Sequence, residues 1–126
     1  MEDKKRILIV DDEDKFSKVL KMYLEKAGSY EVYVERAGIR AASTARACKP
    51  HLILLDIMMP DADGGTVAAE ISRDKGLAKT RIVFFTSAVT KEEVESDHGM
   101  VSGYPCVSKT SSFKDLLQQI ERYLAA

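Results

Sequence analysis

No apolar run in this sequence approaches the roughly 20 residues that a helical membrane span needs. The charged start Glu2-Asp3-Lys4-Lys5-Arg6 leads straight into a short strand pattern rather than a signal sequence. The chain therefore reads as cytosolic, with no membrane partner. A charge excess is missing too: 19 basic against 20 acidic residues leave a net charge of -1, which offers no broad attraction to nucleic acid or an anionic surface. Direct nucleic-acid binding by this domain is not expected. There are only two cysteines. Cys48 falls at the end of a helical pattern and Cys106 in a distant strand pattern, so they do not form a disulfide framework and read as small buried hydrophobes. The two histidines are poor catalytic candidates, since His51 precedes a strand and His98 lies in a polar segment. Repeats, low-complexity tracts and linkers are absent. At 126 residues the sequence is read as one domain, 1–126, with a real core and no room for a second folded unit. Any output activity is expected in another chain or another segment.

What is present is an alternation of strand-like and helix-like segments, which argues for an α/β domain with a doubly wound parallel sheet. Strands are read near 6–11, 31–35, 51–56, 81–86 and 103–108. The first, third and fourth are continuously apolar, as strands covered by helices on both faces are, and belong in the middle. Glu31-Val32-Tyr33-Val34-Glu35 alternates, and the last strand carries Pro105, which cannot donate a ladder hydrogen bond. Strands two and five are therefore expected at the edges. The first helix is expected to bury Phe16, Val19, Leu20, Tyr23 and Ala27 before Gly28 stops it, and the last to bury Phe113, Leu116, Leu117, Ile120, Tyr123 and Leu124. The second, around 38–48, is held by Ile39, Ala42, Ala45 and Cys48 and ended by Pro50; the third, after Gly65, uses Val67, Ala68 and Ile71. The fourth, about 90–98, opens on a capping-box pattern from Thr90 to Glu93 but has few apolar residues, so it is expected to be short or loosely packed.

Three aspartates carry the chemistry. Asp11 and Asp12 follow the run Ile7-Leu8-Ile9-Val10, and Asp56 follows Leu52-Ile53-Leu54-Leu55. If both runs are neighbouring parallel strands, the carboxylates converge on one sheet edge. Two carboxylates ~4 Å apart repel by roughly 4 kcal/mol at an effective dielectric of about 20, so a stable cluster wants a cation or a raised pKa. Oxygen-only ligands suit Mg²⁺. Thr86, after Ile82-Val83-Phe84-Phe85, adds a hydroxyl, and Lys109, after Cys106-Val107-Ser108, adds a fixed cation. A nucleophile, metal ligands, a hydroxyl donor and a cation make a phosphoryl-handling site.

These residues resemble the receiver domains of two-component response regulators. The likeness rests on Ile7-Leu8-Ile9-Val10-Asp11-Asp12-Glu13, on Asp56-Ile57-Met58-Met59-Pro60 running to Asp63-Gly64-Gly65, on Thr86 and on Lys109, in that order and spacing. It implies a five-stranded sheet of order 2-1-3-4-5, with its switch point between strands one and three beside the aspartates. It also implies that Asp56 accepts a phosphoryl group from a phosphohistidine on a sensor histidine kinase or phosphotransfer protein, and that the switched domain signals to a downstream output domain or protein. Asp12 would bind Mg²⁺ directly, Asp11 through water, Asp56 as the acceptor itself, and Met58 through its backbone carbonyl, since its thioether suits soft metals. Thr86 would bond a phosphoryl oxygen, and Lys109 would act on it as a point charge. Glu13 is assigned to the first helical turn, facing the helix dipole.

Two positions depart from the pattern. The family follows the lysine with proline in a cis peptide, and here Thr110 follows Lys109. Either the chain bears a non-proline cis bond costing about 3 kcal/mol, or the loop takes another path. Cys106 stands where an aromatic switch residue is usual, with Tyr104 two residues earlier on the same strand face. Met58 and Ala88, two positions after Asp56 and Thr86, line the path of the hydrolytic water in the family, and neither can orient water by hydrogen bonding. Two other readings stand beside this one: a pseudo-receiver acting as a phosphorylation-independent interaction module, and a Mg²⁺-dependent phosphatase, for which no general acid or substrate cap is visible.

Overall fold

The computed structural model describes residues 4–96 and 99–125; His98 lies outside them. The chain runs β1 (Lys5–Val10), α1 (Asp14–Lys26), β2 (Tyr30–Glu35), α2 (Ala41–Cys48), β3 (Leu52–Leu55), α3 (Gly64–Arg73), β4 (Arg81–Thr86), α4 (Lys91–Ser96), β5 (Met100–Val101), β6 (Tyr104–Ser108) and α5 (Phe113–Ala125). The sheet order is β2-β1-β3-β4-β6-β5. The first five strands in that order are parallel, as the patterning indicates.

Alternation along the strands makes two cores. Leu8, Val10, Ile53, Leu55, Ile82, Phe84 and Cys106 face one side with Ala41, Ala42, Ala45, Val67, Ala68, Ile71 and Val94 of α2, α3 and α4. Ile7, Ile9, Leu52, Leu54, Val83, Phe85 and Val107 face the other with Leu20, Leu24, Leu116 and Ile120 of α1 and α5. The central strands are dry on both faces because βαβ crossovers cover both. Each fully buried Leu, Ile or Phe contributes roughly 1.5–3 kcal/mol, so the strands whose ends carry the aspartates are among the best-anchored parts of the chain. No helix among the described residues is long and apolar enough to cross a membrane.

The structure corrects the sequence reading in three places. The sheet has a sixth strand: β5 pairs antiparallel with β6, so β6 is not a bare edge. Its hairpin turn is Ser102-Gly103, both with positive φ (51° and 84°), the arrangement that lets a two-residue turn follow strand twist. Pro105 sits opposite Met100, and its missing N–H is tolerated at this short outer pairing. In α1 the buried stripe is Ser17, Leu20 and Leu24, whereas Val19 and Tyr23 are 45% and 49% exposed and Ala27 is exposed. Each residue turns the helix by about 100°, so residues one position off the stripe point outward. Ile39 is 72% exposed, because it belongs to a separate 3-10 turn, Gly38–Arg40, ahead of α2. The short fourth helix is as expected, with Thr90 Oγ1 accepting from the Glu93 N–H and Glu93 Oε1 from the Thr90 N–H, both at 3.1 Å.

Glu35, at the end of β2, is buried and takes hydrogen bonds from Thr44 Oγ1 at 2.6 Å, from the Ala37 N–H at 2.9 Å and from the Arg40 guanidinium at 3.3 Å. Burial opposes its ionisation, but these donors outweigh burial and hold the carboxyl below its ordinary 4.5. A depressed folded-state pKa stabilises the fold above that ordinary value, and the contribution is lost as pH falls through the lower folded one. Glu35→Gln should therefore cost about 1–2 kcal/mol near neutral pH, with the difference closing in acid. Urea unfolding of both proteins across that range checks it, and a penalty constant with pH would assign the loss to packing.

Candidate functional site

The ladder that ends β1 and β3 fixes the acidic residues. The Asp11 N–H donates to the Glu35 carbonyl and the Asp56 N–H to the Val10 carbonyl, both at 3.0 Å, so each aspartate leaves the sheet with its backbone still paired. Asp11 and Asp56 are 2% and 5% exposed, while Asp12 faces solvent. One carboxylate oxygen from each lies within 4.8 Å of the others, the convergence expected of neighbouring parallel strands. Gly64 closes the floor: a Cβ there would come within 2.6 Å of the Ile57 Cα and 2.7 Å of the Asp56 carbonyl oxygen, so only glycine lets α3 start this close. Met58 follows in the same loop, its N–H 3.4 Å from Asp56 Oδ1 and its side chain largely exposed.

Thr86 ends β4 and is buried. Its Oγ1 accepts from the Ala88 N–H at 3.1 Å, and its carbonyl accepts from the Lys109 N–H at 2.8 Å. Lys109 brings its ammonium into the cluster, 2.6 Å from Asp11 Oδ2, 2.9 Å from Glu13 Oε1 and 3.7 Å from Asp56 Oδ2. Its side chain is 6% exposed, and Nζ lies 4.7 Å from the centre of the Phe16 ring. No cis peptide occurs among the described residues, so of the two routes open at Lys109-Thr110 the chain takes the trans one.

One cation therefore faces several carboxylates. Burial pushes the Asp11 carboxyl up; contact with Lys109 pulls it back, and the Asp56 charge adds to the rise. Burial would depress the Lys109 ammonium, but hydrogen bonds to Asp11 and Glu13 outweigh it and hold its pKa above the ordinary value. Both groups are thus biased toward their protonated forms, Asp11 chiefly by burial and Lys109 by its carboxylate partners.

Of the six residues singled out from sequence for chemistry, Asp11, Asp12, Asp56, Thr86 and Lys109 lie together at the C-terminal ends of β1, β3, β4 and β6, and Met58 follows Asp56 in the adjoining loop. Sequence reasoning missed the role of Glu13. It precedes α1, and its carboxylate turns to Lys109 rather than to the helix end; no local pattern announces a partner 96 residues away. Of the two candidate switch residues, Cys106 is buried, with burial raising its thiol to about 11, which makes it unreactive. Tyr104 packs edge-on against Phe84 with ring centres 5.4 Å apart, and its hydroxyl meets Ser72 Oγ on α3 at 2.9 Å.

Known proteins share the sequence pattern and the fold of this chain. A family model described as the response regulator receiver domain matches residues 7–121. The transcriptional regulatory protein SrrA of Staphylococcus aureus is 39% identical over 97 residues, which is 77% of this chain and 38% of that protein. The DNA-binding dual master transcriptional regulator RpaA of Synechocystis is 38% identical over 82 residues, covering 65% of this chain and 34% of that one. The chain thus spans little more than a third of the length of these relatives. Among solved structures, the BeF3-activated N-terminal receiver domain of Klebsiella pneumoniae RstA superposes with a TM-score of 0.78 at 28% identity, covering 97% of this chain and all of that one. The receiver domain of the sensor histidine kinase PA1611 from Pseudomonas aeruginosa, which has a magnesium ion coordinated in its active-site cleft, gives 0.80 at 22% identity, covering 98% and 99%.

The charge imbalance carries a stability cost. Asp11 accepts from Lys109 on one oxygen and from the Glu13 N–H on the other, at 2.9 Å, so the amide of Asp11→Asn keeps an acceptor for only one of them. In chelator at neutral pH the variant should still gain about 1 kcal/mol, a few degrees of Tm in a domain of this size, because one buried negative charge is gone. Thermal unfolding checks it; a lower Tm would mean that the ion pair outweighs the repulsion.

Proposed function

The chain belongs to the response regulator receiver domain family, a signalling module rather than a catalytic enzyme, and from that premise we propose that Asp56 is its phosphoacceptor. The donor is a phosphohistidine on a sensor histidine kinase or phosphotransfer protein. An Asp56 carboxylate oxygen attacks phosphorus; the P–O bond forms as the donor's P–N bond breaks, and the electron pair leaves with the imidazole nitrogen. What supports this reading above all is the convergence of three carboxylates with a buried ammonium at one sheet edge.

The donor set fits a magnesium ion. It is oxygen-only and lies partly buried in a pocket short of positive charge, conditions that favour a hard divalent cation. Asp12, Asp56 and the Met58 carbonyl would hold it directly, and Asp11 through water. When bound, it supplies the charge that lets three carboxylates and an anionic phosphoryl group share one pocket. The chain's own residues do the rest. Lys109 turns from its carboxylate partners toward the incoming oxygens, and Thr86 exchanges its local Ala88 contact for a phosphoryl oxygen. The output is proposed to lie in a downstream domain or partner protein, in keeping with relatives named as transcriptional regulators that are much longer than this chain; the receiver itself makes no direct nucleic-acid contact.

Incubation with Mg²⁺ and acetyl phosphate followed by intact-mass analysis should show one added phosphoryl group, lost in Asp56→Asn and in excess chelator. Unchanged labelling in either control would sink the assignment, and no labelling of the wild type would favour a phosphorylation-independent interaction module.

Lifetime gives a second test. Met58 and Ala88, the positions that line the path of the hydrolytic water in the family, are both exposed, and neither can orient an attacking water. The acyl phosphate should persist for minutes or longer, and Met58→Asn with Ala88→Glu should shorten it severalfold. Decay of the wild-type phosphoprotein within seconds contradicts this.

A further inference from the structure

Lys109 is held by a trans peptide with threonine after it, and the structure shows what steadies it. Ser108, at the end of β6, is 1% exposed. Its Oγ lies 2.6 Å from the Val89 carbonyl oxygen, and a carbonyl cannot donate, so the Ser108 proton points there. The same Oγ lies 3.1 Å from the Thr110 N–H and 2.8 Å from Thr110 Oγ1. With Ser108's only proton committed to Val89, Thr110 must donate its hydroxyl as well as its N–H. The serine hydroxyl is then saturated, with one donation and two acceptances. The Ser111 N–H closes the turn on the Ser108 carbonyl at 3.0 Å. Lys109 thus sits between two clamped residues, its own N–H bound to the Thr86 carbonyl at 2.8 Å.

We infer that Ser108 and Thr110 are positioning residues for Lys109, and that their hydrogen-bonded clasp fixes the turn that aims its ammonium at the phosphoryl group on Asp56. This rests on the phosphoacceptor reading above. Proline after the lysine would orient the turn by restricting the backbone. Thr110 does so by two donations to a buried hydroxyl, and proline could supply neither. The clasp also reaches Val89, three residues beyond Thr86 in the connection to α4, so a single oxygen joins the loop that carries Lys109 to the loop that follows Thr86.

Ser108→Ala would strand the Val89 carbonyl and risks the fold, so the Thr110 series carries the test. Thr110→Val keeps the shape and the N–H but loses the hydroxyl; Thr110→Ser restores it. With Mg²⁺ and acetyl phosphate, Thr110→Val should slow labelling of Asp56 roughly fivefold, equivalent to about 1 kcal/mol, and Thr110→Ser should return it to near the wild-type rate. Made in a Lys109→Ala background, Thr110→Val should have no further effect, because a residue that acts through Lys109 has nothing left to position. Wild-type labelling rates in Thr110→Val, or an equal slowing with and without Lys109, overturn the inference while leaving Asp56 as acceptor. A wild-type protein that takes up no phosphoryl group overturns both, and that outcome is read from the control alone.

Discussion

The buried Lys109 ammonium, 2.6 Å from Asp11 and 3.7 Å from Asp56, is the interaction around which this site is organised. Parallel strands that end side by side bring their C-terminal residues together whether or not those residues repel. Here they are aspartates. Adjacent β1 and β3 make the clustering unavoidable, and β4 and β6 bring the hydroxyl and the ammonium to the same edge. Among the described residues Lys109 is the cation that meets these carboxylates, and it makes the cluster tolerable without neutralising it, so the pocket favours more positive charge. Like charges gathered for a site work against the scaffold that gathers them, which is the usual bargain between stability and function.

The scaffold was legible because its signals are local and repetitive. Apolar runs at β1, β3 and β4, alternation at β2 and helical spacing in α5 each identify an element without reference to the rest of the chain, and together they leave little choice of topology. The failures are instructive about scale. Val19 and Tyr23 fit the helical period of α1 yet lie outside its buried stripe, because the period fixes a spacing while the sheet surface chooses the rotation. The β5 strand is two residues long, below any periodicity; only the Ser102-Gly103 dipeptide hints at it, and its meaning depends on Tyr104 following as a strand.

Site residues were legible to the extent that they end strands. Asp11, Asp12, Asp56, Thr86 and Lys109 all stand immediately after or at the end of an apolar run, so the same pattern that finds the sheet finds them. Glu13 and Ser108 escaped for the opposite reason. Their roles come from partners far away in sequence, Lys109 for the one and Val89 for the other, and nothing in a neighbouring residue marks a side chain that will bridge two loops. The unusual Thr110 could be noticed as a departure, but its purpose appears only when the proton of Ser108 is assigned.

The outer end of the sheet differs in character from the acidic end of β1 and β3. Among the described residues, α4 contributes one buried side chain, Val94, and a solvent-screened ion pair from Lys91 to Asp115 on α5 at 2.8 Å. Tyr104 is tied to Ser72 and Phe84 on the α3 side, and Cys106 is too small to fill space vacated by another group. A movement of Thr86 toward the acceptor would therefore meet little resistance from packing around α4. It would meet resistance from the Ser108 hydroxyl, which must follow the Val89 carbonyl or release it. Such a movement would be passed outward through a hydrogen bond rather than through an aromatic side chain, toward a short helix with few contacts to lose.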